Sequence, residues 1–406
     1  MVEPLLDHNA NALPEPDDEA KNQSLLLMQR ICAACERTGG WLKFSEYMNI
    51  ALYEPALGYY SGGLQKFGQK GDFITAPEIS PMFGQCLANQ IAEVMTKFKA
   101  DGEYDVSIVE FGAGSGVLAA DVLLRLEALK LLPEHYCIIE LSAELQQRQK
   151  KTMNNQAKHL LNRVRWLDQL PEDMSHVIVV ANEVLDAMPV ECFQMGSDTT
   201  TSQSLVVGFE SNELVSKYLP ADELIVEKLT EMQQRSEFSL SENYKSEYNP
   251  AIGGWLAALE SKIESLVILL IDYGYNEKEY YHQDRVDGTL MCYYQHRAHD
   301  DIFWWPGLQD ITAFVNFTDV AYSAVSLGME ISGYTTQAAF LLANGLSELH
   351  AEQVTDDIQQ QIKLSQQIKT LTLPSEMGDR FKVMAITKNY DEPLKGFSML
   401  DLRNRL

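Results

Sequence analysis

Four short stretches of this chain are apolar without polar alternation: Val106–Phe111, Tyr136–Glu140, Val177–Ala181 and Leu266–Ile271. Unbroken hydrophobicity at strand length means burial on both faces, the sign of a parallel sheet. Between the first three the rhythm changes to that of a helix, over Val117–Leu131 and from Ala143 to about residue 159. Strand and helix in alternation predict an α/β, doubly wound domain. Upstream, Leu25, Met28, Ile31, Cys32 and Cys35 recur at helical spacing and predict an amphipathic helix over 24–37. Ser80-Pro81 offers an N-cap followed by proline at the first helical position. Phe83, Leu87, Ile91, Val94 and Phe98 then line one face, so a helix is expected over 81–99.

About eighty residues separate the third and fourth runs, far more than an ordinary crossover needs. They hold alternating runs, Leu205–Phe209 and Leu214–Leu219, and a polar stretch at Ser236–Tyr248. The expectation is an inserted β-hairpin region followed by a helix around Trp255–Ile263. Another helix (about 351–370) and a last strand, Phe381–Lys388, close the chain. The organisation expected is therefore a disordered acidic tail (1–21), an N-terminal helical and lid region (22–100), a core (101–190 and 264–406) and a substrate-side insertion (191–263). No internal repeat or low-complexity tract is present.

Composition narrows the choice of partner. Apolar residues make up 46% of the 406 and charged residues 22%, which is ordinary globular usage. The net charge of −26 repels phosphate backbones and anionic lipids, so no nucleic acid and no membrane insertion are expected. No window reaches the roughly 18 apolar residues of a membrane helix. The acidic N-terminus lacks an apolar or Arg-rich leader pattern, and the six cysteines are scattered in apolar runs. Both point to a cytoplasmic protein with reduced thiols. Cys32-x-x-Cys35 follows no strand, so it reads as core packing rather than a redox motif.

The first strand ends in Glu110-Phe111-Gly112-Ala113-Gly114-Ser115-Gly116, with a helix starting at Val117. Glycines there let the backbone pass close to a ligand and face the helix N-terminus toward it. A dinucleotide loop wants G-x-G-x-x-G, with its third glycine at 117, where this chain has Val. The observed E-x-G-x-G-x-G resembles motif I of the class I S-adenosylmethionine-dependent methyltransferases. Glu140, closing the second strand, is a candidate for the ribose hydroxyls of an adenosine ligand. Glu110 has two open readings, cofactor contact and anchor for the loop backbone. The third strand ends in Ala181-Asn182-Glu183-Val184-Leu185-Asp186-Ala187-Met188-Pro189, beyond the carboxyl end of the sheet where ligands sit.

Longer matches go further. Gly58-Tyr59-Tyr60, Phe67-Gly68 and Gly71-Asp72-Phe73-Ile74-Thr75-Ala76-Pro77-Glu78-Ile79-Ser80 resemble the N-terminal signature of the MidA family. That family comprises the complex I assembly arginine methyltransferase and its bacterial relatives. The E-x-G-x-G-x-G loop, the stretch 181–189 and the segment Gly288–Ala313, with His-Arg-x-His-Asp-Asp and Asp-Ile-Thr-Ala, match it as well. The resemblance runs from about Phe44 to the last strand. It implies a mostly parallel, seven-stranded, Rossmann-like methyltransferase sheet. It also implies S-adenosyl-L-methionine as cofactor and a target arginine on a partner protein, a respiratory complex I subunit by analogy. Two positions depart: relatives often carry His and Asp where this chain has Phe314 and Asn316.

An arginine substrate stays protonated at any working pH. Carboxylates can clamp one edge of its guanidinium in bidentate geometry and leave the other nitrogen to attack. Glu183 and Asp186 are the clamp candidates, with Glu78 behind them and Asp310 also on the substrate side. Asn182 would orient the nucleophile or the cofactor. Asp72 and Thr75 are candidates for the amino-acid end of the cofactor, in a segment, 68–78, that reads equally as a lid or a rigid turn. Asp272 is a further strand-end acid with a structural alternative. His296, His299, Asp300 and Asp301 have metal-ligand chemistry, but no second cluster completes a site, so no metal and a surface or substrate-facing loop are expected. Trp304-Trp305 reads as packing, with a cleft lining as the alternative. The sequence leaves room for a homodimer. Two other functions stay open: a cofactor-binding assembly factor that no longer methylates, and an NAD-dependent oxidoreductase.

Overall fold

A computed structural model describes residues 13–62, 75–100, 105–235 and 239–406. Seven strands form the central sheet: β1 (Val106–Phe111), β2 (His135–Ile139), β3 (Val164–Leu167), β4 (Met174–Asn182), β5 (Ile263–Tyr275), β6 (Glu330–Thr336) and β7 (Phe381–Lys388). Their order is β3-β2-β1-β4-β5-β7-β6. The first five run parallel, and β7 is inserted antiparallel between β5 and β6. A two-residue strand, Val315–Asn316, extends the end of β5. The expected mostly parallel, seven-stranded α/β sheet is present.

The unbroken apolar runs are explained by the two faces they fill. Ile108, Ile138, Ile178, Val180, Val267 and Leu269 point to one side, against helices α3 (Pro81–Ala100) and α4 (Val117–Ala128). Val109, Cys137, Val177, Val179, Leu266 and Ile268 point to the other, against α6 (Ile252–Lys262) and α7 (Phe317–Ser326). Helix α5 (Ala143–Gln156) follows β2. Strands β3 and β6 lie at the sheet edges, where fewer residues are buried, so neither carries an unbroken apolar run and neither is legible by that signal.

Several boundaries differ from the sequence expectation. Helix α1 runs Asp18–Arg37 with Asp17 as its cap, so it begins inside the stretch read as an acidic tail. The helix Ile252–Lys262 packs on the central sheet through Leu256 and Leu259, and so belongs with the core rather than the insertion. The inserted hairpin is present as Gln203–Glu210 and Glu213–Pro220, but it belongs to a five-stranded sheet that includes Trp41–Lys43 from the N-terminal region. Residues 291–312 form a three-stranded sheet. The segment around His296 is therefore a hairpin, with His299 buried in its second strand against Trp304, and not an open loop. Leu27, Ile31, Phe44, Tyr47, Val207, Cys292 and Ile311 share one cluster. That cluster joins α1, α2 (Phe44–Tyr53), the insertion sheet and the 291–312 sheet into a second lobe beside the carboxyl ends of the strands.

Candidate active site

The glycine loop owes its shape to three residues in left-handed backbone: Gly112 (φ 63°), Gly114 (φ 52°) and Gly116 (φ 82°). Side chains rarely adopt that region. At Gly116 a Cβ would also lie 2.9 Å from the Cα of Gln149. Gln149, which sequence reasoning missed, is the hub of this half of the site. Trp166 Nε1 donates to its Oε1 at 2.9 Å, and its Nε2 donates to Glu140 Oε2 at 3.0 Å and to the Gly114 carbonyl at 3.2 Å. Glu140 Oε1 accepts from the Ser142 amide at 2.9 Å. Glu140 is therefore locked beside the loop. Burial raises its pKa, and the bonds from Ser142 and Gln149 oppose that. Leu141 next to it is 76% exposed, an apolar surface suited to a base ring.

Glu110 is placed differently from a ligand contact. Its carboxylate is buried under the loop and accepts from Tyr136 Oη at 2.9 Å, with its pKa pushed up to about 7 by burial. Of the two sequence readings, the structure favours the anchor. Asp72 lies outside the described residues. Thr75 stands at the N-cap position of a one-turn helix, Ala76–Ile79, without a side-chain capping bond. Glu78, expected behind Glu183 and Asp186, instead accepts a short hydrogen bond from Ser115 of the glycine loop. Its carboxylate thus lies against the glycine loop.

The acids after β4 form the other half. Glu183 is itself in left-handed backbone (φ 53°), with its amide bonded to the Ile271 carbonyl at 2.9 Å. A non-glycine residue held there costs about 1–3 kcal/mol, which the surrounding bonds must offset. Asn182 Nδ2 donates to Glu183 Oε1 at 3.2 Å, and the Ala76 amide donates to the same carboxylate. Tyr273 Oη donates to Asp186 Oδ2 at 2.6 Å. Asp272 accepts from the amides of Leu185 (3.1 Å), Asp186 (3.3 Å) and Tyr273 (2.9 Å), so it holds the turn and is structural. Asp310 joins from the three-stranded sheet, where Tyr60 Oη donates to it at 2.8 Å.

Two buried acceptors here, Asn182 Oδ1 and Asp186 Oδ1, have no partner among the described residues. Among those residues no lysine or arginine pairs with Glu183, Asp186 or Asp272. Burial, then Asp186 and Asp310, push Glu183 up to about 8. Burial also raises Asp186, and it raises Asp272 strongly. A buried carboxylate with an unmet oxygen, beside a second acid and no pairing cation among the described residues, suits a cationic donor.

The Phe314 ring packs edge-on to Tyr273 at 5.1 Å, and Asn316 Oδ1 caps α7 from the Asp319 amide at 3.3 Å. Trp304 and Trp305 pack with Ala20, Tyr294 and Leu308. Among the described residues no group of three or more His, Cys, Asp or Glu side chains is arranged to hold a metal. Among the described residues no helix is long and apolar enough to cross a membrane.

A Rossmann-like sheet with a triple-glycine turn, a locked strand-end glutamate and an acid pocket opposite defines an S-adenosyl-L-methionine-dependent methyltransferase. A family model described as "Putative S-adenosyl-L-methionine-dependent methyltransferase" matches residues 86–335, and the chain belongs to this family. A Burkholderia thailandensis protein, crystallised with S-adenosyl-homocysteine, is 38% identical with a TM-score of 0.90, over 97% of this chain and 100% of that one. The chain is also similar to a Drosophila melanogaster protein named protein arginine methyltransferase NDUFAF7 homolog, mitochondrial. Identity is 26%, over 95% of this chain and 91% of the relative. The Rattus norvegicus protein of that name is 26% identical, over 86% and 82% respectively.

Proposed function

We propose that this chain methylates an arginine side chain of a partner protein, with a respiratory complex I subunit as the substrate class. The observation that carries the reading is the acid pocket with its two bare acceptors. The adenosyl end fits the glycine loop, Glu140 and Leu141. When bound, the cofactor supplies an electrophilic methyl group on a sulfonium. Glu183 and Asp186 hold one edge of the guanidinium, which fixes its charge there and leaves the other nitrogen free. Asn182 Oδ1 accepts from that nitrogen and aims it. Transfer leaves the methylated guanidinium with its single positive charge and releases one proton, which passes to Asp186 Oδ1. Tyr273 and the Asp272 turn keep Asp186 in place throughout. The setting is a reducing compartment, the cytoplasm in this reading, supported by six unpaired cysteines.

The test is incubation of the full chain with methyl-labelled S-adenosyl-L-methionine and extract of cells lacking it, followed by acid hydrolysis. Labelled methylarginine is the expected product. Label confined to other amino acids would remove the arginine reading and leave the methyltransferase.

A further inference from the structure

Helix α2 and the turn after it bring two phenols to the acid pocket. The rings of Tyr53 and Tyr60 stack at 5.4 Å with 21° between their planes. Each is tied at its far end to a part of the pocket: Tyr60 Oη to Asp310 Oδ2 at 2.8 Å, and Tyr53 Oη to the carbonyl of Ala187, next to Asp186, at 2.9 Å. Asp310 and Asp186 are both close enough to raise the pKa of both phenols, after burial.

The turn that delivers Tyr60 is rigid. The amides of Tyr59 and Tyr60 bond to the carbonyls of Ala51 and Leu52 at 2.9 and 2.8 Å. A Cβ at Gly58 would meet the Glu54 nitrogen at 2.6 Å and the Leu52 carbonyl at 2.7 Å. Gly58-Tyr59-Tyr60 therefore fixes one ring against the other. Tyr59 packs edge-on to Tyr60 at 5.0 Å, whereas Tyr53 keeps 36% of its surface exposed. Tyr53 is thus the more accessible of the two stacked rings.

We propose that Tyr53, backed by Tyr60, is a specificity-determining wall that selects a planar guanidinium over a compact ammonium. Carboxylates alone attract any cation. A guanidinium is flat and weakly hydrated and stacks on an aromatic face, whereas an ammonium is strongly hydrated and gains less from that face. The wall adds the discrimination that charge cannot supply. The inference rests on the arginine reading above.

The test uses the full chain saturated with S-adenosyl-homocysteine and two probes, ethylguanidinium and propylammonium, followed by ligand-observed NMR. The unsubstituted chain is expected to bind ethylguanidinium at least about tenfold more tightly and to shift its methylene signal upfield by ring current. Tyr53→Leu should lower ethylguanidinium affinity about fivefold or more with propylammonium nearly unchanged, and Tyr53→Phe should restore it. Retained S-adenosyl-homocysteine binding checks that each variant folds. If Tyr53→Leu weakens both probes equally, or the methylene shows no shift, the wall is refuted while the acid pocket stands. If the unsubstituted chain binds neither probe, the wall and the arginine reading both fall. The methylene shift needs no variant, so the proposal stays open to refutation even if Tyr53→Leu does not fold.

Discussion

The two halves of the site are built by different means. The cofactor half is a matter of backbone: three glycines in left-handed conformation, a helix start, and one glutamine that ties loop to glutamate. The acceptor half is a matter of side chains. Glu183 and Asp186 come from one turn and Asp310 and Tyr273 from two other segments, and among the described residues no lysine or arginine pairs with Glu183 or Asp186. Damage to the first half should therefore appear as lost cofactor affinity. Damage to the second should appear as lost transfer with the cofactor still bound.

Gly116→Ala should have the largest effect. The new Cβ meets the Gln149 backbone, and displacing Gln149 frees both Glu140 and the Gly114 carbonyl. Left-handed strain and those lost bonds together cost about 3 kcal/mol or more, so calorimetry should show cofactor affinity down at least about a hundredfold. Next comes Asp186→Asn. It should cut the transfer rate about 10²- to 10³-fold in single-turnover measurements while leaving cofactor affinity within a few-fold.

Tyr273→Phe removes only the 2.6 Å bond that holds Asp186. One such bond to a charged group is worth about 1.5–3 kcal/mol at most, so kcat/KM should fall roughly ten- to a hundredfold with Tm little changed.

The pH dependence sharpens the contrast. Glu183 titrates at about 8 and Asp186 above its ordinary range, both first because of burial. Their charged, clamp-competent forms accumulate as pH rises, so kcat/KM should climb toward pH 8. Stability runs the other way. The folded chain holds these protons more tightly than the unfolded one, whose carboxyls titrate near about 4, so the stability they contribute is lost as pH rises through about 8. Glu183→Gln should flatten that loss and stabilise the ligand-free chain at pH 8 by on the order of 1 kcal/mol, read as a higher Tm. Activity and stability would then respond oppositely to the same substitution.

The same contrast decided what the sequence disclosed. Gly112, Gly114 and Gly116 are legible because a left-handed turn dictates the residue type, and the central strands are legible because two buried faces leave no polar position. Gln149 and Tyr273 carry no such mark. Each matters only for what it touches in the folded chain. Glu78 and Glu110 were recognised as important, but not which neighbour each would serve, since Ser115 and Tyr136 are tertiary partners. Asp310 was visible in a motif, and its tie to Tyr60, 250 positions away, was not. His299 has the chemistry of a metal ligand in the sequence, yet it is a buried ring in a hairpin.

The most direct measurement pairs calorimetry of S-adenosyl-L-methionine with methylarginine formation for Gly116→Ala and Asp186→Asn side by side. The expected result is a clean split, in which the first loses the cofactor and the second keeps it but forms methylarginine about 10²- to 10³-fold more slowly. An Asp186→Asn chain that still forms methylarginine at the full rate, or that loses the cofactor as Gly116→Ala does, would contradict the division of the site into a donor half and a cation-holding half.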